Sequence, residues 1–192
     1  MSEVASQDDV VWFCRQVRAR SNEHREVMSV AAQRGWLSTA VGTLRQELDS
    51  MVRVIFLLEQ VDTGLRRQLL HQAVAGEIWT LPTSNGRPRR VTDRDMVDLA
   101  QRIHEGWTER VYRFGCRFIH LSNMHDYHAR DPFRGLPWEE REDIAQYLRY
   151  YHDGDVSAES TFEEVAAYAP RVLDKIASNL EHSLRDLERR AG

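Results

Sequence analysis

The segment Thr92–His128, TDRDMVDLAQRIHEGWTERVYRFGCRFIHLSNMHDYH, carries the longest helical pattern of the chain and most of its unusual polar residues. Apolar side chains recur in it at spacings of three and four, the period of an amphipathic α-helix. These side chains are Met96, Ala100, Ile103, Trp107, Val111, Phe114, Phe118 and Leu121. Thr92 followed by Asp95 is a helix-start signal of the capping-box kind. The segment therefore predicts one long helix that begins near Asp93 and buries a single apolar stripe.

A row of basic residues runs beside this stripe. Arg110, Arg113, Arg117 and His120 recur at the same helical spacings, so their side chains are expected along one line of the predicted helix. Arg113 and His120 are expected roughly 10 Å apart along the axis. A histidine can transfer protons near neutral pH, and an arginine can stabilise charge that grows on a phosphate. The row indicates a candidate catalytic site in which His120 is the general acid or base and Arg113, helped by Arg117, holds the phosphate.

The residues that follow the row extend the candidate site. Asn123, His125 and His128 lie at the start of a segment dense in titratable side chains, and they are the candidate substrate-binding residues. A metal site is a second interpretation, although no HExxH pattern supports it. Its candidate ligands are His120, His125, His128, His24 and Asp126. In a third interpretation, His125 and His128 only close the helix end through hydrogen bonds.

The rest of the chain also shows helical periodicity, with no strand-period segment and no internal repeat. Further helices are predicted after a start signal at residues 6–9, from about Trp36 to Val61, from Leu65 to Ala75, and from Pro137 to about residues 151–154. A capping box at residues 161–164 starts the last helix, which Pro170 kinks or splits. Residues 80–90 are predicted to be a loop. We therefore expect one domain, residues 1–192, with an all-α fold: an antiparallel bundle of five to seven helices.

Two polar residues fall on apolar stripes of these helices. His24 repeats with heptad spacing in the first helix, so it is expected in the core as a neutral histidine with one hydrogen-bond partner, or as a ligand or base. Arg53 lies within the apolar run at residues 51–58. A charge there is costly unless it is paired, so we expect either a carboxylate partner or a side chain that reaches the bundle edge.

Composition limits the classes of function. The net charge is −4, which argues against a strongly basic nucleic-acid binder. Apolar residues make up 42% of the chain, but no run approaches the length of a membrane span. The N-terminal segment has no basic start or apolar stretch typical of a secretory signal, so a cytoplasmic location is expected. Cys14 and Cys116 are expected to be reduced thiols. No nucleotide or other cofactor motif occurs, and no cofactor is expected.

The spacing of Arg113 and His120 resembles the HEPN superfamily of small α-helical bundles, whose ribonuclease members carry an arginine followed four to six residues later by a histidine. Six residues separate the pair here. The resemblance rests on the helical layout and on these two residues. It implies a homodimer and metal-independent RNA cleavage by a toxin or an antiviral effector.

A noncatalytic function explains the same sequence in a different way. Long amphipathic helices can pair with a second copy or with another protein, and the apolar pattern needs no site to account for it. In this interpretation Arg113, Arg117 and His120 form an ion-paired flank of the core, facing the acidic helix predicted after Pro137. The sequence therefore leaves a ribonuclease, a partner-binding module and a metal-binding bundle as alternatives.

Overall fold

The computed structural model describes residues 7–104 and 106–191, and most of them are helical. The expectation of an all-α fold is confirmed. The helices are α1 (Gln7–Arg34), α2 (Leu37–Leu58), α3 (Thr63–Val74), α4 (Asp93–Ile103), α5 (Thr108–Ile119), α6 (Trp138–His152), α7 (Phe162–Ala166) and α8 (Ala169–Ala191). A 3-10 turn lies at Asn123–His125. None of the described helices combines the length and the apolar character needed to cross a bilayer.

Helix α2 is the centre of the fold. Most of its side chains are buried, apart from the line that includes Thr39, Gln46 and Arg53, and Leu48, Met51, Val54 and Leu57 are each 0% exposed. Helices α1, α4, α5 and α8 all pack against it. A helix with so wide an apolar surface needs cover on most of its sides, and these four neighbours supply it. The fold is thus organised around α2.

Side-chain contacts give the directions of the long helices. Arg20 bonds Asp49 and His24 bonds Glu47, so α1 runs antiparallel to α2. Arg18 bonds both Glu181 and Glu188 of α8. At the far end of the bundle, Arg190 of α8 donates to the carbonyl of Leu58, the last residue of α2. Helices α2 and α8 therefore end on the same side, which makes the bundle mixed rather than purely antiparallel.

The predicted central helix is broken into α4 and α5, which corrects the expectation of one continuous helix. Its start is confirmed, because the Thr92 side chain caps α4 and Asp95 completes a capping box. The helix ends at Ile103, and Gly106 takes a left-handed φ of +89° that a continuing helix does not allow. Because the break redirects the chain, Ile103 is 44% exposed and Leu121 is 94% exposed, whereas the predicted stripe buried both.

The remaining predictions are partly confirmed. Gly35 separates α1 from α2 with a φ of +67°. The capping box at Thr161 starts the short α7, and Pro170 lies in the first turn of α8, so the predicted last helix is split. The segment predicted as a loop contains two-residue strands, β1 (Thr80–Leu81) and β2 (Arg89–Arg90), paired antiparallel. No alternation of apolar and polar residues marks strands this short.

Gly115 lies where α5 crosses α2. A Cβ atom at this position would stand 2.7 Å from the Cβ atom of Arg45, which is attached directly to the α2 backbone and cannot swing away. Gly42, in the middle of α2, has much more room, because its Cβ would only approach the Phe118 carbonyl oxygen at 4.0 Å. The two helical glycines therefore differ in the space around them.

We expect alanine to have opposite effects at these two positions. Gly42→Ala should stabilise the fold by up to about 1 kcal/mol, because alanine is the better helix former. Gly115→Ala should destabilise it by about 1–3 kcal/mol, because overpacking outweighs that gain. Urea unfolding of both variants measures the difference. Stabilisation by Gly115→Ala would show that the crossing of α2 and α5 is not as close as described.

Candidate functional site

Arg113 and Arg117 lie one turn apart on α5 and share a single carboxylate of α6. Arg113 Nη2 lies 3.2 Å from Glu140 Oε1, and Arg117 Nη2 lies 2.8 Å from Glu140 Oε2. Arg110 continues the row and pairs with Asp143 at 2.5 Å. The row thus forms an ion-paired flank that faces the acidic helix α6. The sequence offers this arrangement as the alternative to a phosphate site.

These ion pairs are weak because they lie at the surface. The side chains of Arg113 and Arg117 are 57% and 39% exposed, and that of Glu140 is 27% exposed. Exposed pairs of this kind contribute about 0–1 kcal/mol each. The bond to Asp143 raises the pKa of Arg110, which stays charged in any case. The carboxylates therefore neutralise the row without locking its arginines in place.

His120 lies beyond the end of α5. Helix α5 ends at Ile119, and His120 follows it with φ −107° and ψ +148°, which is extended backbone. The hydroxyl of Ser122 donates to the carbonyl of Arg117 at 2.8 Å and thereby satisfies one of the last carbonyls of the helix. The expectation that His120 stacks above Arg113 on one helix is therefore wrong. The imidazole is exposed, and it has no hydrogen bond or ion pair within residues 7–104 and 106–191.

The three candidate substrate-binding residues lie in and just after the 3-10 turn. His125 is part of the turn itself, because its Nδ1 accepts from the backbone N–H of Ser122 at 3.3 Å and its ring packs against Phe118. Asn123 is exposed. His128 is exposed as well, with its ring 4.6 Å from that of Tyr127. His125 thus stabilises the 3-10 turn and touches α5 only through Phe118, while Asn123 and His128 are exposed to solvent.

The candidate metal ligands do not come together. In the described part of the chain, no group of three histidine, cysteine, aspartate or glutamate side chains is arranged to hold a metal ion. His24 differs from the other candidate ligands, because it is buried between α1 and α2 and its Nδ1 is bonded to Glu47.

A small open cavity of about 150 Å³ lies between α5 and α6. Its polar lining includes Arg110 and Arg113 but also Glu109, Glu140 and Asp143. Phe114 and Ile144 contribute apolar surface to it. Because carboxylates outnumber guanidiniums in this lining, the cavity does not concentrate positive charge for a phosphate.

A buried arginine network on α2 was not predicted from the sequence. Arg45 is 7% exposed and donates to Asp93 at 2.7 Å and to the Cys116 sulfur at 3.4 Å. Arg53 bonds both Asp49 and Asp93, which confirms the carboxylate partner expected for it. The burial of Arg45 has a signal in the sequence, because Arg45 recurs at helical spacing with Val41 and other buried residues of α2.

Ser21, His24 and Glu47 form a second polar cluster inside the bundle. Glu47 is 0% exposed, and it accepts from the Ser21 hydroxyl at 2.5 Å while its other oxygen lies 2.6 Å from His24 Nδ1. The burial of His24 was expected from its heptad position, and the structure confirms it. Glu47 was missed, since a glutamate beside Leu48 looks like an ordinary exposed helical residue. The cluster joins α1 to α2.

A third cluster lies near the C-terminal end of α6. His152 is buried, and its Nε2 lies 3.0 Å from the Tyr147 hydroxyl. Lys175, the only lysine of the chain, places its ammonium 3.4 Å from the centre of the Tyr151 ring. Burial lowers the pKa of His152, and the charge of Lys175 lowers it further. The pKa of His104 is lowered for the same two reasons.

Known proteins do not assign this arrangement to a family: no family model, no curated protein and no solved structure matches the chain.

The low pKa of His152 predicts that acid destabilises the fold. Unfolded histidine takes up a proton near pH 6.5, whereas the buried imidazole resists protonation until a lower pH. The unfolding free energy that depends on His152 is therefore complete above about pH 6.5 and decreases as the pH falls below it. We expect His152→Gln to show a shallower loss of stability over this range, measured by urea unfolding. His120→Gln is the matched control, because the His120 imidazole is exposed and has no hydrogen bond or ion pair with another described residue, so its removal should leave the slope unchanged.

Proposed function

We propose that the protein is a noncatalytic helical module that self-associates where the C-terminal end of α5 meets the N-terminal end of α6. The observation that carries this proposal is a group of exposed apolar side chains. Leu121 is 94% exposed, Trp138 is 53% exposed and Ile119 is 44% exposed. Ile119 is the last residue of α5 and Trp138 the first of α6, and the Arg117–Glu140 ion pair joins these two helix ends. We call these three apolar residues and the ion-paired row the corner surface.

The charges of the corner surface favour a second copy of the chain as the partner. Helix α5 contributes a basic row and α6 contributes an acidic one, so both signs lie side by side. The charged residues are Arg110, Arg113, Arg117, Glu139, Glu140, Glu142 and Asp143. Under a twofold axis, the basic row of one copy faces the acidic row of the other. A surface of mixed sign offers no comparable attraction to a partner that carries only one sign.

The apolar residues supply the energy of such an interface. Exposed leucine and tryptophan side chains gain about 1.5–3 kcal/mol each when they are fully buried. Tryptophan and arginine are also the residues that most often dominate protein interfaces, with charged groups at the rim. Trp138 and Leu121 fit the centre of such an interface, and Arg113 and Arg117 fit its rim.

Leu121→Glu should weaken self-association by about tenfold or more, because it would place an unpaired charge in an apolar contact. Sedimentation velocity over a wide range of protein concentration measures the dimer fraction. Val61→Glu is the matched control: Val61 is 95% exposed, lies in the turn after α2, and should have no effect.

Two outcomes would contradict this proposal. The wild-type protein could stay monomeric at every concentration, or Val61→Glu could weaken the dimer as much as Leu121→Glu does. Circular dichroism of each variant shows whether the helical fold is retained.

A HEPN-like, metal-independent ribonuclease is the second candidate function. It is favoured by the exposed imidazole of His120, which is free of partners in the described residues and lies three residues after Arg117. In this function His120 moves the proton, Arg113 and Arg117 leave Glu140 to hold the phosphate, and Asn123 and His128 contact the RNA, with His125 supporting the turn. Release of Glu140 costs little because the ion pairs are exposed.

RNA cleavage in the presence of a metal chelator tests this second function. If His120 is the general acid or base, His120→Ala should reduce the cleavage rate by about 10²–10⁴-fold. His182→Ala, which removes an exposed histidine of α8, should cleave at the wild-type rate. Equal rates for wild type and His120→Ala would remove His120 from the mechanism and leave the module as the only proposed function.

A further inference from the structure

An open cavity of about 320 Å³ lies among α1, α2 and the segment that follows α3. Small-molecule sites usually have volumes of about 300–1,000 Å³, so this cavity is large enough for a small ligand. The lining residues used below are Phe13, Val17, Arg20, Arg53, Glu77 and Trp79. No residue of the corner surface lines this cavity.

The apolar wall of the cavity is held firmly. Phe13 and Trp79 are 5% and 4% exposed. The Trp79 ring stacks on Phe56 at 5.9 Å between ring centres, and the Arg53 guanidinium lies 5.5 Å from its centre. Val17 completes this wall from α1. A rigid apolar wall suits the hydrocarbon part of a ligand, because little ordering is needed when the ligand binds.

Two arginines give the cavity a cationic side. Arg20 has one ion pair, to Asp49 at 3.3 Å, and its side chain is 42% exposed. Arg53 bonds Asp49 and Asp93, and its side chain is 36% exposed. A guanidinium has five N–H donors, so both side chains keep donors for a further acceptor. A carboxylate is one of the acceptors, with phosphate, whose geometry matches the arginine fork.

Glu77 gives the cavity an anionic group from the α3 side. Its side chain has no ion pair with any residue of the described ranges. The connected arginines Arg20, Arg45 and Arg53 exceed their aspartate partners Asp49 and Asp93 by one charge, and Glu77 balances that excess. The surroundings of the cavity are neutral as a whole but separated in charge, which favours a ligand that is also neutral and dipolar.

We propose that this cavity binds a free α-amino acid with an apolar side chain. The ligand carboxylate bonds Arg20 and Arg53, its ammonium faces Glu77, and its side chain packs against Phe13, Val17 and Trp79. Each part of the ligand has a counterpart in the lining, and the volume allows a single amino acid of moderate size. This site is independent of self-association and of RNA cleavage.

Isothermal titration calorimetry with L-phenylalanine and L-leucine tests the proposal on the full chain. We expect one molecule of at least one of these amino acids to bind per chain. Two analogues of phenylalanine each lack one charge: 3-phenylpropionate has no ammonium, and 2-phenylethylamine has no carboxylate. Both should bind about tenfold more weakly or worse than phenylalanine, because each loses one charge-assisted contact.

Variants connect each ligand charge to its residue. Glu77→Gln should weaken phenylalanine binding but leave 3-phenylpropionate unaffected, because that analogue has no ammonium for Glu77 to bind. Arg20→Gln should weaken phenylalanine but leave 2-phenylethylamine unaffected. Arg25→Gln is the matched control, since Arg25 is exposed on the same helix and does not line the cavity. Glu77 is exposed and unpaired in the described chain, so its variant should fold normally.

The proposal is overturned if neither amino acid binds the wild-type protein. It is also overturned if the analogues bind as well as phenylalanine, or if Arg25→Gln weakens binding as much as Arg20→Gln.

Discussion

Burial of most of the surface of α2 is the constraint on which the rest of the structure depends. A central helix of this kind fixes where its neighbours can lie, because each must present an apolar stripe towards it. It also determines which polar residues are allowed inside. Glu47 and Arg45 both lie on α2, and each is tolerated because a neighbouring helix brings a partner: Ser21 and His24 from α1, and Asp93 from α4. A buried charge without such a partner would cost several kcal/mol.

The surface sites follow from the elements around α2. Helix α5 uses its apolar side and the missing side chain of Gly115 to approach α2, which leaves its arginines directed towards α6. Carboxylates of α6 pair with these arginines and neutralise the basic row, which would otherwise attract phosphate. Helices α1 and α2 and the end of α3 leave an open cavity beside Arg53. Helix α2 thus packs behind a surface of mixed charge and also lines a dipolar cleft.

The helical class could be predicted from the sequence because apolar spacing and capping residues are local signals. Thr92 with Asp95 and Thr161 with Glu164 both start helices where the sequence places them. The break at Gly106 could not be predicted in this way, because Ile103 and Trp107 keep helical spacing across it. Helical spacing also continues to His120, so the sequence predicts it on a helix that in fact ends one residue earlier.

The central role of α2 was also hidden, for a different reason. Its apolar run was visible, but the number of helices that cover it depends on contacts between distant parts of the chain. Arg53 stood out in that run and its partner could be anticipated, whereas Arg45 and Glu47 were not distinguished from solvent-facing residues. Which carboxylate reaches which arginine, and that a cavity remains beside Trp79, are properties of the assembled bundle that no local pattern encodes.

The position of α8 has a consequence for biosynthesis. Helix α8 packs along α2 with the same direction, yet a ribosome makes it only after α3 to α7. Until then one apolar side of the central helix has no cover, and non-local contacts of this kind form slowly. The nascent chain therefore exposes an apolar, aggregation-prone helix for much of translation, and we expect chaperones that bind apolar segments to recognise it.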